Sequence, residues 1–181
     1  MKYFLSFLAG LALLASPAVD AAEKKVRVTA TTSMVTDMVR RVGGDLVDVQ
    51  GLMGPGVDPH LYKPTAGDGL KLQRADVIFY NGLLLEGKMQ ELFNQMARRK
   101  KFVYAVAEDL PREKLLAPPG RTGHFDPHVW FDIPLWSETA DKVAAGLSEF
   151  DPENRAAYHR NAAATKKGLL ELHRGALKRA G

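Results

Sequence analysis

Residues 25–31, reading Lys-Val-Arg-Val-Thr-Ala-Thr, alternate apolar and polar side chains at the period of a half-buried strand. Thr32 or Ser33 then stands where a helix cap belongs, ahead of Met34, Val35, Met38, Val39 and Val42, which share one helical face. Gly43-Gly44 ends that helix, since glycine accepts the left-handed backbone of a helix C-terminus. A second strand is predicted over 46–53. Thr65-Ala66-Gly67-Asp68 has the form of a capping box, with Asp in place of the usual Glu, and opens a helix that carries Leu70 and Leu72 and ends near Arg74. Residues 76–80 are apolar after Asp76, as expected of a strand covered on both faces. Asn81-Gly82 turns the chain into a helix predicted over 85–98, and a fourth strand follows over 102–107. Prolines and glycines fill 108–125. Pro134 sits in the first turn of a helix that runs to about Phe150.

The last predicted element is long. Asp151 stands at its cap and Pro152 in its first turn, and about 28 residues of helix would extend roughly 42 Å. Tyr158, Ala162, Thr165, Leu169, Leu172 and Ala176 recur every three or four residues and form one thin stripe. The end from about Arg174 to Gly181 has little to bury and is expected to fray. Strands alternating with helices predict an α/β fold: a parallel sheet of about four strands flanked by helices, ending in a long helix. In such sheets ligands bind at the carboxyl ends of the strands.

Composition alters this picture at the N-terminus. Lys2, an apolar run at 4–14 and small residues up to Ala21 read as a secretory signal peptide over 1–21, with Ala18 as the other candidate cleavage point. About 160 residues remain, enough for one domain with a core of its own. The expected organisation is a lobe over 22–150 and a long helix over 151–181. The chain has no cysteine, so a disulfide framework, a thiolate metal site and a lipid-bearing cysteine at the cleavage point are not expected. A soluble periplasmic product follows. The net charge of +4 lies largely in the final helix and reads as a solvated face, so no nucleic-acid partner is expected.

The chemistry centres on a repeated tripeptide. Asp58-Pro59-His60 and Asp126-Pro127-His128 each set a histidine behind Asp-Pro in a loop. Proline fixes its own φ and pushes the preceding residue to an extended conformation, while the Asp side chain can bond nearby backbone N–H groups. Both loops follow strands, so both belong on the same edge of the sheet. Two preset imidazoles make half of a tetrahedral metal site. His124 lies four residues before His128, but Pro127 rules out a chelating helix, and a loop histidine is the better reading. His159 and His173 stand about 21 Å apart along one helix and cannot share an ion. Glu86 and Asp132 lie near the same edge, Asp132 as a helix cap. Trp130, Phe131 and Trp136 read as core or interface residues. No His-Glu-x-x-His, Gly-x-Ser-x-Gly, P-loop or dinucleotide fingerprint occurs, so an enzyme is not expected.

Three blocks, Gly54 to Asp68, Ala75 to Met89 and Phe125 to Ser137, resemble the zinc- and manganese-binding solute-binding proteins of bacterial ABC importers. The resemblance implies two α/β lobes joined by one long helix, with a single divalent metal between the lobes. The first lobe supplies the two Asp-Pro-His histidines, which are His60 and His128 here. The second supplies a His or Glu and then an Asp. By the same resemblance the metal is zinc or manganese and the partner is the importer's membrane permease. Only the first lobe and the long helix are matched in this sequence. A fragment, a degenerate product, and half of a protein whose second lobe is a separate chain are the readings left open. Leu84 stands where relatives often carry a histidine. The 108–125 loop, with His124 as its only histidine, departs from the His-rich loop of many zinc importers.

Overall fold

The computed structural model describes residues 24–99, 101–120 and 123–180. The signal peptide expected over 1–21 lies outside them. Four strands, β1 (Val26–Ala30), β2 (Val47–Gly51), β3 (Val77–Tyr80) and β4 (Phe102–Ala105), form one parallel sheet in the order β2-β1-β3-β4. The order reverses between β1 and β3, so the crevice beyond their carboxyl ends is the natural ligand position of this topology.

Five helices complete the chain: α1 (Ser33–Gly43), α2 (Ala66–Arg74), α3 (Gln90–Arg98), α4 (Ile133–Phe150) and α5 (Arg155–Ala180). One face of the sheet carries the larger core, where Val28, Ala30, Val77 and Phe79 meet Val35 and Val39 of α1 and Val143 and Leu147 of α4. The other face is closed by Leu72 of α2 and Phe93 of α3 against Ile78. β3 is therefore buried on both faces, as its apolar run predicts. A Cβ on Gly146 of α4 would fall 2.8–2.9 Å from the rings of Tyr104 and Phe79, so only glycine allows this approach.

The caps match the sequence closely. Thr32 accepts from Val35 N at 3.3 Å, Asp132 accepts from Leu135 N at 3.0 Å, and Thr65 with Asp68 forms a complete capping box. Three expectations are corrected. Helix α3 starts at Gln90 rather than near Leu85, because residues 83–86 turn and a short 3₁₀ segment, Gly87–Met89, follows. Asp151 does not cap α5 through a backbone bond; it accepts from Tyr158 Oη at 2.6 Å and Asn154 Nδ2 at 2.9 Å, and a 3₁₀ turn, Pro152–Asn154, precedes the helix. The stripe of α5 is shorter than its spacing suggests. Tyr158 and Ala162 are buried on α1 and α4 and Leu169 is half-buried, but Leu172 is 58% exposed and Ala176 is exposed. Helical geometry continues to Ala180 although packing stops near Leu169.

Candidate metal centre

The two Asp-Pro-His loops leave opposite edges of the sheet, one after β2 and one after β4, and converge above its carboxyl edge. Their histidines meet there: His60 Nε2 and His128 Nε2 lie 3.2 Å apart, with ring centroids at 5.2 Å. Two nitrogens each about 2.0–2.1 Å from one tetrahedral zinc ion would stand roughly 3.3 Å apart, so the observed separation suits a shared ion.

The repeated sequence gives a repeated local structure. Asp58 Oδ1 accepts from His60 N at 2.9 Å, and Asp126 Oδ1 accepts from His128 N at the same distance. Each loop thus closes on its own Asp side chain two residues back. The copies differ at the ring. His128 Nδ1 lies 2.6 Å from Asp126 Oδ1, and the His128 N–H and ring hydrogen bonds hold the Asp126 carboxyl below the usual range. An ionised Asp126 accepts, so Nδ1 carries the proton and Nε2 presents its lone pair outward, the carboxylate-backed form of a metal-ligating histidine. Trp130 meets the same ring edge-on at 5.2 Å.

The first loop is pinned further along. Tyr62 Oη donates to Asp68 Oδ2 at 2.6 Å, and the same oxygen accepts from Thr65 N at 2.9 Å and Thr65 Oγ1 at 2.7 Å. Burial works to raise the Asp68 carboxyl, but these bonds from Tyr62 and Thr65, with Lys71 nearby, bring it down to about 2. Burial and the Asp68 bond push the Tyr62 phenol up to about 12.

Under the second loop sits a group that sequence reasoning placed near the edge without a role. Glu86 is 2% exposed and accepts from Thr31 Oγ1 at 2.6 Å, Asn81 N at 2.8 Å and Gly82 N at 3.2 Å. Burial pushes its carboxyl above the usual range against the pull of those bonds. Asn81 Nδ2 in turn donates to Pro127 O at 3.1 Å. The only hint in the sequence is a carboxylate five residues after Asn81, behind three leucines.

The other candidates stay apart. His124 lines a cavity of about 430 Å³ with Tyr80, Leu84, Glu108 and Arg112, and neither His60 nor His128 borders it. Trp136 is in the core, whereas Phe131 is 79% exposed. Together with Leu116, also exposed, it gives the surface beside His128 an apolar character. Among the described residues no group of three or more His, Cys, Asp or Glu side chains is arranged to hold an ion, so the pair offers two of the four donors a tetrahedral site needs. Nor is any described helix long and apolar enough to cross a membrane.

The family of periplasmic proteins described as zinc-uptake complex component A matches residues 28–180. The chain belongs to that family. It is 45% identical over 157 residues to the manganese-binding lipoprotein MntA of Bacillus subtilis, covering 87% of this chain and 51% of MntA. It is 46% identical over 132 residues to the zinc-binding protein TroA of Treponema pallidum, covering 73% of this chain and 42% of TroA. The solved structure of that periplasmic zinc-binding protein superposes with a TM-score of 0.76 at 41% identity, over 82% of this chain and 53% of TroA. The chain thus spans about half the length of the relatives it matches. The resemblance read from the three sequence blocks stands, and so does the fold: one parallel four-stranded lobe ending in a long helix.

Proposed function

We infer that this chain captures a divalent cation, zinc or manganese, at the His60–His128 pair and presents it to the membrane permease of an ABC importer. The observation that carries the reading is the 3.2 Å approach of two outward-facing Nε2 atoms from loops at opposite edges of the sheet. The ion is cargo. Neutral imidazole suits zinc and is accepted by manganese, and Asp126 fixes the tautomer and orientation of the His128 ring. The rest of the coordination sphere comes from outside the described residues: water, an anion, or donors of a second lobe. In this reading residues 1–21 are an export leader, 22–150 the metal-binding lobe and 151–181 the helix that links it onward, and the protein works in the periplasm.

Crystals of zinc-loaded protein test the assignment. An anomalous peak at the zinc edge is expected about 2.0–2.1 Å from both Nε2 atoms. Zinc found only elsewhere on the surface overturns it.

A further inference from the structure

We propose that Glu86 is a positioning residue for the metal-binding histidine of the second loop, acting through Asn81. The proposal rests on the reading of His60 and His128 as ligands. It starts from a backbone anomaly: Gly82, Leu83 and Leu84 take consecutive positive φ values of 84°, 52° and 63°. Leucine seldom adopts this region, and two in succession persist only where surrounding contacts dictate them. Position 82 admits only glycine, since a Cβ there would fall 2.9 Å from Ala105 Cβ.

The contacts that hold this turn come from two carboxylates. Glu86 takes the amides of Asn81 and Gly82, and Glu108 Oε2 takes the amide of Leu83 at 2.9 Å. Glu86 is buried, as are its partners Thr31 and Asn81, and no described Lys or Arg forms an ion pair with it. A buried carboxylate without a cation is a costly way to fill space, which an apolar side chain would fill more cheaply. Its use here is directional. Thr31 extends β1 at the centre of the sheet, donating from its N to Phe79 O at 3.1 Å and accepting from Met53 N at 2.8 Å. Glu86 is thereby tied to the centre of the sheet, at the point where the strand order reverses.

From that anchor the connection runs outward. Glu86 fixes Asn81, whose side-chain amide donates to Gly82 O and to Pro127 O, each at 3.1 Å. Pro127 immediately precedes His128, so the amide sets the peptide that enters the ligand. Asp126 sets the peptide and the ring from the other side. The first loop is held differently, by the bonds of Leu52 and Met53 to β1 and its end and by Tyr62 to Asp68 of α2. The hydrogen bonds of Glu86 and Asn81 go to neither ring, so the two act on the ligand through the backbone that carries it.

The test compares zinc affinity, by competition with a chromophoric chelator, and the absorption bands of cobalt-loaded protein with Tm. The variants are Asn81→Ala, Asn81→Asp, which keeps the size but not the amide donor, and Glu86→Gln. Val35→Ala, which removes packing from the larger core without touching Glu86, Asn81 or either histidine loop through a hydrogen bond, serves as a destabilised control. All three site variants should lose about 10- to 100-fold in affinity and shift the cobalt bands. Val35→Ala should lower Tm yet leave both unchanged. If Glu86→Gln does not fold, the Asn81 variants decide, because they leave the bonds on Glu86 in place. Unchanged affinity and bands in both Asn81 variants, or equal losses in Val35→Ala, would overturn the proposal. Wild-type protein that takes up no zinc overturns the ligand reading and this proposal with it; zinc binding that depends on His60 and His128 but not on Asn81 overturns this proposal alone.

Discussion

Asp68 does two jobs with one carboxylate. It completes the cap of α2, and it receives the Tyr62 hydroxyl that closes the loop carrying His60. The first job is legible in Thr65-Ala66-Gly67-Asp68, since capping is local and reads from four residues. The second is not, because nothing in the sequence says which phenol folds back. The same contrast runs through the site. Asp-Pro-His announces its own turn, and both copies adopt it. The 3.2 Å meeting of the two rings and the Glu86–Asn81 path are long-range contacts with no local signature. The Asp68 carboxyl, held down at about 2 against an ordinary 3.8, adds stability that is full above the ordinary value and is lost as pH falls from 3.8 toward 2. Asp68→Asn should therefore lower Tm at pH 6, and its deficit should shrink toward pH 2. Thermal unfolding followed by circular dichroism across that range checks this; a deficit independent of pH would refute it.

Among the elements, the four strands and the amphipathic helices were readable because burial enforces a period, 2 for a half-buried strand and 3.6 for a helix. The elements departed from expectation where a polar side chain competes with the period or where the surface to pack against runs out. The chain over 83–86 is apolar enough to read as helix, yet Glu86 and Glu108 capture the amides of 81–83 and turn it. In α5 the spacing suggested a stripe to Ala176, but the helix outruns the α1–α4 surface on which it lies. Tyr158 carries its docking: the side chain is fully buried and its hydroxyl reaches Asp151 at 2.6 Å. Tyr158→Ala should cost about 3–5 kcal/mol, by analogy with other large aromatic truncations, and loosen the whole helix. Beyond Leu169 the helix is held by its own hydrogen bonds, with Leu177 60% exposed. Amide exchange should find Leu177 far less protected than Ile78 of β3 and further weakened by Tyr158→Ala. Equal protection at the two positions would show that the end is packed.

On the scale of the whole molecule, the sheet brings two loops that begin at its opposite edges to one point above the β1–β3 reversal, with the exposed Leu116 and Phe131 beside His128. A rigid lobe with an exposed pair of nitrogens is suited to taking an ion and giving it up, since half of the coordination sphere remains exchangeable. The family membership agrees with such a role, and the chain spans about half of its relatives' length. The central claim is that both histidines bind one ion together, and calorimetric titration of the purified chain with zinc tests it most directly. The account predicts one zinc per site in the wild type, and loss of that binding in His60→Ala, in His128→Ala and in the double variant, with the fold retained in each. Zinc binding of undiminished affinity and stoichiometry in the double variant would contradict it.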